Sequence, residues 1–488
     1  MMRIFLIGLA WSVAAFADDW PMGGRSQSRN PVSPEKNAPI DWQFSVDGKP
    51  AKNIRWSAKV GNRGIGGPIV ANGLVWVGTN NDAELDPKIT DDRGVLACFR
   101  ESDGKFLYQY STPRLKSDQN LADWSGSGLS CTPIVEGHKL WFMTSRREVV
   151  CLDTEPLSKG TGPAKELWKY DLVKEQKVFP NSPMIPSHHT LGSFAIHKHL
   201  LFVQTGNGIN DGHTKVVSPD APCLVCFDKS MGKVVWKDNS PGKDGMGGHH
   251  ASPLIIETKD GAQVIHGQGD GWVRSFEAAT GKLIWKFDLN RKGAKWTWGE
   301  QGRQILVAPP VYADGRVYFG VGKNPEASGG AGRLFCIDPS KKGDVSPELD
   351  DGNEKGKPNP ASAVIWEFTN DGDKKSEMHE TTSSVAVEGG LVIALDRQGY
   401  IHCLDTKTGK RLWSHDAKAS IYGEPLIVDG KVYVASEGGE LTTFELSRAK
   451  KVIAKHEFDS IIVAPPVFAN GTLFVLTETT LHAIGAKK

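Results

Sequence analysis

The sequence predicts an all-β protein, an eight-bladed β-propeller of four-stranded antiparallel blades whose ring is closed by an N-terminal strand. Three observations predict it. One hairpin recurs without gaps, as CFDKSMGKVVW (Cys226 to Trp236), SFEAATGKLIW (Ser275 to Trp285) and CLDTKTGKRLW (Cys403 to Trp413). A second hairpin precedes it in each unit, as in GGPIVANGLVWVG, GEPLIVDGKVYVA and VAPPVFANGTLFVL. Both read as strand, tight glycine-bearing turn, strand, so each unit has four strands. Finally, the last unit is one strand short while a spare strand stands ahead of the first.

From the N-terminus, Arg3, an apolar run from Ile4 to Phe16 and Ala15-Phe16-Ala17 ahead of Asp18 read as a secretory signal over residues 1–17. The run is shorter than the roughly 20 residues a membrane helix needs. No cysteine stands at the expected cleavage point to take a lipid, so a periplasmic or secreted protein is expected. Residues 18–52 form an entry segment, and the propeller occupies 53–488.

First strands are expected near Gly67, Thr132, Ser193, Ser252, Pro309, Ser384, Glu424 and Pro465. The eighth unit, Pro465 to Gly485, runs out after three strands, and NIRWSAKV (Asn53 to Val60) is a fourth-type strand with no unit before it. Pairing the two removes both open edges, which closed β-architectures do not tolerate. Asn53 to Val60 is therefore expected against Thr479 to Ala486.

Composition agrees with this reading. With 54 glycines, 28 prolines and 15 tryptophans the chain suits short strands, tight turns and large aromatic anchors. Lysine plus arginine (58) balances aspartate plus glutamate (57), so nothing calls for nucleic acid or an anionic membrane. Cys98, Cys151, Cys226, Cys336 and Cys403 fall at one place in five units. Equivalent points on neighbouring blades lie beyond the roughly 7 Å a disulfide allows, so they read as small core residues. Cys131 and Cys223 stand outside the pattern. The aromatic ending each unit recurs as Trp56, Tyr108, Trp168, Trp236, Trp285, Trp366 and Trp413, with Ile453 at the matching point of unit seven. Position in the repeat assigns them to blade contacts.

The D-x-x-T-G-K-x-x-W pattern at Asp405 to Trp413 resembles the tryptophan-docking repeat of the PQQ-type propellers. WPMGGRSQSRNPVS (Trp20 to Ser33) is similar to the entry segment that precedes such rings. Two groups carry eight-bladed rings of this kind, the BamB-type outer-membrane assembly lipoproteins and the quinoprotein alcohol dehydrogenases. The first implies protein partners. The second implies PQQ with calcium, and its adjacent cysteine pair is missing here.

In a propeller the links between second and third strands share one face with the links between blades. Long links are expected there at Thr79 to Gly94, Thr205 to Ala221 and Gly320 to Gly332, and loops of this length are often functional. The opposite face carries Pro339 to Ala363, whose composition reads as a solvated loop. Segments before the first strands bring Asp123, Trp124, His188, His189, His249, His250, Trp296, Trp298, Glu300, His379 and Glu380 to the channel mouth. These are the candidate ligand-binding residues. His188, His249 and His379 are the candidates for a metal, though no H-E-x-x-H frame is present. A quinone would take Trp124, Trp296 or Trp298 as platform and Glu300 or Asp123 as base. The expected function is noncatalytic binding of an envelope or extracellular protein, or of a glycan. A PQQ-dependent oxidoreductase or a metal-dependent enzyme is the alternative, and no cofactor is otherwise expected.

Overall fold

The computed structural model describes residues 18–45, 50–62, 64, 66–114, 126–180, 192–210, 212, 214–248, 250–297, 302–323, 330–350, 352, 356–369, 372 and 377–486. Eight antiparallel sheets of four core strands form the blades, and two of them gain a fifth, parallel strand. The first strands are Ile69–Ala71, Ile134–Glu136, Ala195–His197, Leu254–Thr258, Val311–Ala313, Ala386–Glu388, Leu426–Val428 and Val467–Ala469. Each begins two residues after its expected start. First strands of neighbouring blades lie against one another from blade three to blade five and from blade six to blade eight. Among the described residues no helix is long and apolar enough to cross a membrane.

Ring closure follows the expected register. Ile54–Lys59 runs antiparallel to Thr480–Ile484, with Ile54 opposite Ile484 and Lys59 opposite Thr480. Val60 N donates to Thr479 O at 3.0 Å and Gly485 N to Asn53 O at 2.9 Å, extending the pairing at both ends.

The repeated tryptophan has a specific packing reason. Across each hairpin it faces a small residue: Cys226 opposes Trp236, Ser275 opposes Trp285, Cys403 opposes Trp413 and Ala483 opposes Trp56. Apart from Trp285, whose Nε1 has no partner among the described residues, the indole then reaches the next blade and donates to the turn between its third and outer strands. Trp56 Nε1 bonds Glu101 O at 2.8 Å, Trp236 Nε1 bonds Ala278 O at 2.9 Å and Trp366 Nε1 bonds Thr406 O at 2.9 Å. In blade seven the residue opposite the small position, Thr443, is Ala454. Ile453 was the expected match, but it falls in the bulge of the outer strand, as Leu412 does in blade six. All seven cysteines are free and buried, Cys131 and Cys223 included.

The segment expected as a solvated loop, Pro339 to Ala363, is in large part pinned to the ring. Gly343–Asp344 adds to the outer edge of blade four beside Leu283–Asp288, and Val345, Ser346 and Ala363 are buried. Asp288 N donates to Ser346 Oγ at 2.8 Å, and Arg291 forms ion pairs with Glu348 and Glu367. Its polar composition concealed this because backbone pairing and ion pairs hold it along with the buried Val345 and Ala363.

Residues 19–35 run along the channel at the face carrying the turns between first and second strands, here the lower face. They bond to every blade in turn. Trp20 pairs with Val70, Val135 N donates to Pro21 O, Ile196 N to Gln27 Oε1 and Ile255 N to Gln27 O. Tyr312 N donates to Ser28 O, Asn30 exchanges two hydrogen bonds with the backbone of Val387, and Ile427 N donates to Pro31 O. Asn470 and Gly471 of blade eight donate to Asp19 and Glu35. Val32–Ser33 adds a short parallel strand to Leu426–Val428. The chain then leaves past blade seven, where Tyr433 Oη bonds Pro39 O and Trp42 stacks on His456, to become the closing strand.

Candidate functional site

With the lower mouth occupied by the chain's own N-terminal segment, the channel retains a cavity of about 80 Å³ walled by residues from all eight blades. Its lower boundary includes Trp20, Gly23, Gly24, Arg29 and Pro31. The walls are the stretches just before the first strands, among them Thr132, Ser193, His250, Thr382, Tyr422 and Glu424. Arg29 is fully buried, and its guanidinium donates to the carbonyls of Gly23, Ser193, Phe194 and Pro253 at 2.6–3.2 Å. Burial lowers its pKa to about 10, which leaves it charged at neutral pH. Burial raises the Glu424 carboxyl, and the charge of Arg29 opposes that shift. Ser193 Oγ and Thr382 Oγ1 have no hydrogen-bond partner among the described residues, so water or a ligand atom is needed to satisfy them.

On the upper side, a network of charged and amide groups links blades three to six. Gln268 Nε2 donates to Asp238 Oδ2 at 2.7 Å, and Arg274 holds Asp270 through two hydrogen bonds of 3.0 and 2.6 Å. Arg303 and Lys292 both donate to Asp288 at 2.9 Å. Gln304 Nε2 donates to Glu380 Oε1 at 2.8 Å, and Lys323 Nζ stands 3.9 Å from the same oxygen. Glu380 is fully buried in the wall.

Next to it His379 faces the other way, as alternate residues of extended chain must. Its Nδ1 lies 3.1 Å from Asp396 Oδ2, which His402 Nε2 also approaches to 3.1 Å. Backbone N–H groups of His379, Gln398 and Tyr400 complete the shell of that carboxylate. Burial disfavours the ionised form, but the hydrogen bonds from His379 and His402 outweigh it and hold Asp396 at about 2. The same bond raises the pKa of His379.

Of the candidates named from sequence, Asp123, Trp124, His188, His189, His249, Trp298 and Glu300 lie outside the described residues. His250 is buried in the channel wall, and Trp296 is half-buried with the Arg303 guanidinium 6.0 Å from its ring. Among the described residues no three His, Cys, Asp or Glu groups converge as for a metal ion, so His250 and His379 are not drawn into one such group. The described part of the channel offers no cysteine pair, and Tyr422 in its wall is covered by the Arg397 guanidinium at 3.7 Å. The described residues form no flat slot for a quinone, and most of the expected platform and base, Trp124, Trp298, Asp123 and Glu300, lies outside them. Sequence reasoning missed Arg29, Glu424, Asp396 and His402. Only Asp396 carried a usable signal, because it stands where blades two, seven and eight have a hydroxyl.

The family model for the outer membrane protein assembly factor BamB matches residues 358–452. A quinone-dependent alcohol dehydrogenase subunit of Gluconobacter oxydans is 25% identical over 329 residues, 58% of this chain and 38% of that protein. The matched stretch thus spans well under half of that relative. BamB from Moraxella catarrhalis superposes with a TM-score of 0.54 at 12% identity, covering 88% of this chain and 96% of that one. A quinohemoprotein alcohol dehydrogenase from Pseudomonas putida gives 0.59 at 12% identity, covering 96% and 81%. At such identities the structural likeness carries the fold alone. In its repeats and in its eight-bladed ring, the chain resembles the PQQ-like β-propeller repeat proteins, BamB and the quinoprotein alcohol dehydrogenases among them.

Proposed function

We propose that this protein is an exported, noncatalytic propeller that holds a protein or small ligand on its upper face within the cell envelope. The observation that carries the reading is the one-sidedness of the ring. Residues 19–35 bond to the inner strands of all eight blades on the lower side, so binding is left to the upper mouth and its long loops. The likeness to BamB supports protein over glycan as the partner. A photo-crosslinker at exposed Lys295 on the upper face, set against one at exposed Lys407 on the lower, tests this in envelope extracts. Adducts are expected from the upper position, and equal or absent labelling from both counts against the reading. Export is tested with it, because the mature chain is expected to begin at Asp18 by N-terminal sequencing.

A quinone-dependent oxidoreductase is the second reading, favoured by the sequence similarity to the Gluconobacter dehydrogenase subunit. PQQ with calcium at a hundredfold excess over its Kd stabilises a true binder by about 2.7 kcal/mol. An unchanged melting curve removes this reading.

A further inference from the structure

Blade six departs from blades two, seven and eight at one point of the repeat, a position where blade four carries Gln268. The residue that closes the turn between second and third strands is Thr144 in blade two, Ser436 in blade seven and Thr477 in blade eight, and each hydroxyl bonds within its own turn. Blade six has Asp396 there, whose N–H donates to Tyr400 O as Thr144 N does to Glu148 O and Ser436 N to Glu440 O. A hydroxyl is enough to close this turn. The carboxylate of Asp396 is therefore not demanded by the blade, yet it is fully buried and accepts from two imidazole rings and three backbone N–H groups.

An imidazole whose Nδ1–H is held by a carboxylate presents a fixed, more basic Nε2, and zinc-bound histidines are commonly backed in this way. His379 Nε2 stands 3.9 Å from Glu377 Oε1, and the two side chains are 16% and 34% exposed. Residues two apart on extended chain project to one side, while the intervening Met378 is buried. Two zinc–ligand bonds of roughly 2.0–2.2 Å can bridge the gap. His402, bound to the same carboxylate, is wholly buried and serves only to fix Asp396.

We propose that His379 Nε2 and the Glu377 carboxylate form a two-residue zinc site on the upper face, with Asp396 positioning the imidazole. The mixed nitrogen and oxygen donors suit zinc better than calcium. Since no third His, Cys, Asp or Glu joins them among the described residues, the remaining coordination positions are open to water or to a group brought by a ligand. The site does not depend on the partner-binding reading, because it forms on the isolated protein.

The test is titration of the full mature chain with zinc alone by isothermal calorimetry at about pH 7.5, where proton competition is weak, with cobalt absorption as a second readout. One saturable ion per chain is expected. Glu377→Gln and His379→Gln should each weaken it at least about tenfold, and Asp396→Asn by roughly 10- to 100-fold although both ligands remain. Because Asp396 is buried, the melting curve of each variant is taken alongside, and Glu377→Gln, at a half-buried side chain outside the core, is the decisive one. No saturable binding up to about 1 mM zinc, or binding unchanged in Glu377→Gln, overturns the proposal and leaves the contact an ion pair only.

Discussion

Gly281 shows why the turn of the T-G-K-x-x-W motif needs glycine for two reasons at once. Its φ is +73°, and a Cβ there would stand 2.7 Å from the Trp236 ring. Gly315 has the same backbone, φ +74°, but nothing within 4 Å. Gly315→Ala is therefore expected to cost about 1–2 kcal/mol from the left-handed conformation alone. Gly281→Ala should add roughly 1–3 kcal/mol of overpacking to that, a difference denaturant titration resolves. A second residue governs acid sensitivity. His482 lies between Phe44 and Phe458 with its Nδ1 2.8 Å from Ser57 Oγ, and burial lowers its pKa to about 4 against a slight opposing effect of Asp459. The unfolded chain, with an ordinary value near 6.5, binds the proton more readily between those limits. Stability present at neutral pH is thus lost as pH falls from about 6.5 towards 4, by about 3 kcal/mol in all. His482→Phe should flatten this part of the pH–stability curve. The recurrence of the small residue and of the tryptophan was legible in the sequence because each repeats, whereas their facing each other across the hairpin was not. The environments of His482 and Asp396 were not, because each is made by chain distant in sequence.

The N-terminal segment is the element whose role composition revealed least. WPMGGRSQSRN carries no periodicity, so its likeness to an entry segment could mark its start but not its course through the channel. Arg29 is its anchor. Arg29→Ala removes the donor shared by four buried carbonyls and is expected to destabilise the protein by at least about 3 kcal/mol. Hydrogen exchange should then rise in the inner strands of blades three and four, which supply three of those carbonyls. A loss confined to the segment itself would mean that the anchor holds the segment and not the ring. The insertion between the third and outer strands of blade five was misread for a related reason: besides burying Val345 and Ala363, it is attached to blade four through Gly343–Asp344 and by ion pairs, which hydropathy does not register.

At the scale of the whole molecule the count of repeats was enough to place the closing strand, because an incomplete blade and an orphan strand admit one arrangement. Deleting residues 53–60 should expose Thr480–Ile484 as an edge and lower the protection of blade eight first, as exchange by mass spectrometry would read. The channel mouth was not legible to the same degree, since its loops follow no repeat. The course of residues 19–35 also bears on how the molecule is made. Asn30 bonds a residue 357 positions away and Arg55 one 431 positions away. This part of the chain is synthesised before the blades in which it has its partners. Blades can form one after another from local hairpins, but the segment on the axis and the closing strand must wait for the last of them. Completion is then a late, slow and collective event set by long-range contacts. Refolding should show blade hairpins gaining protection well before Trp20, Arg29 and the closing strand, which arrive together.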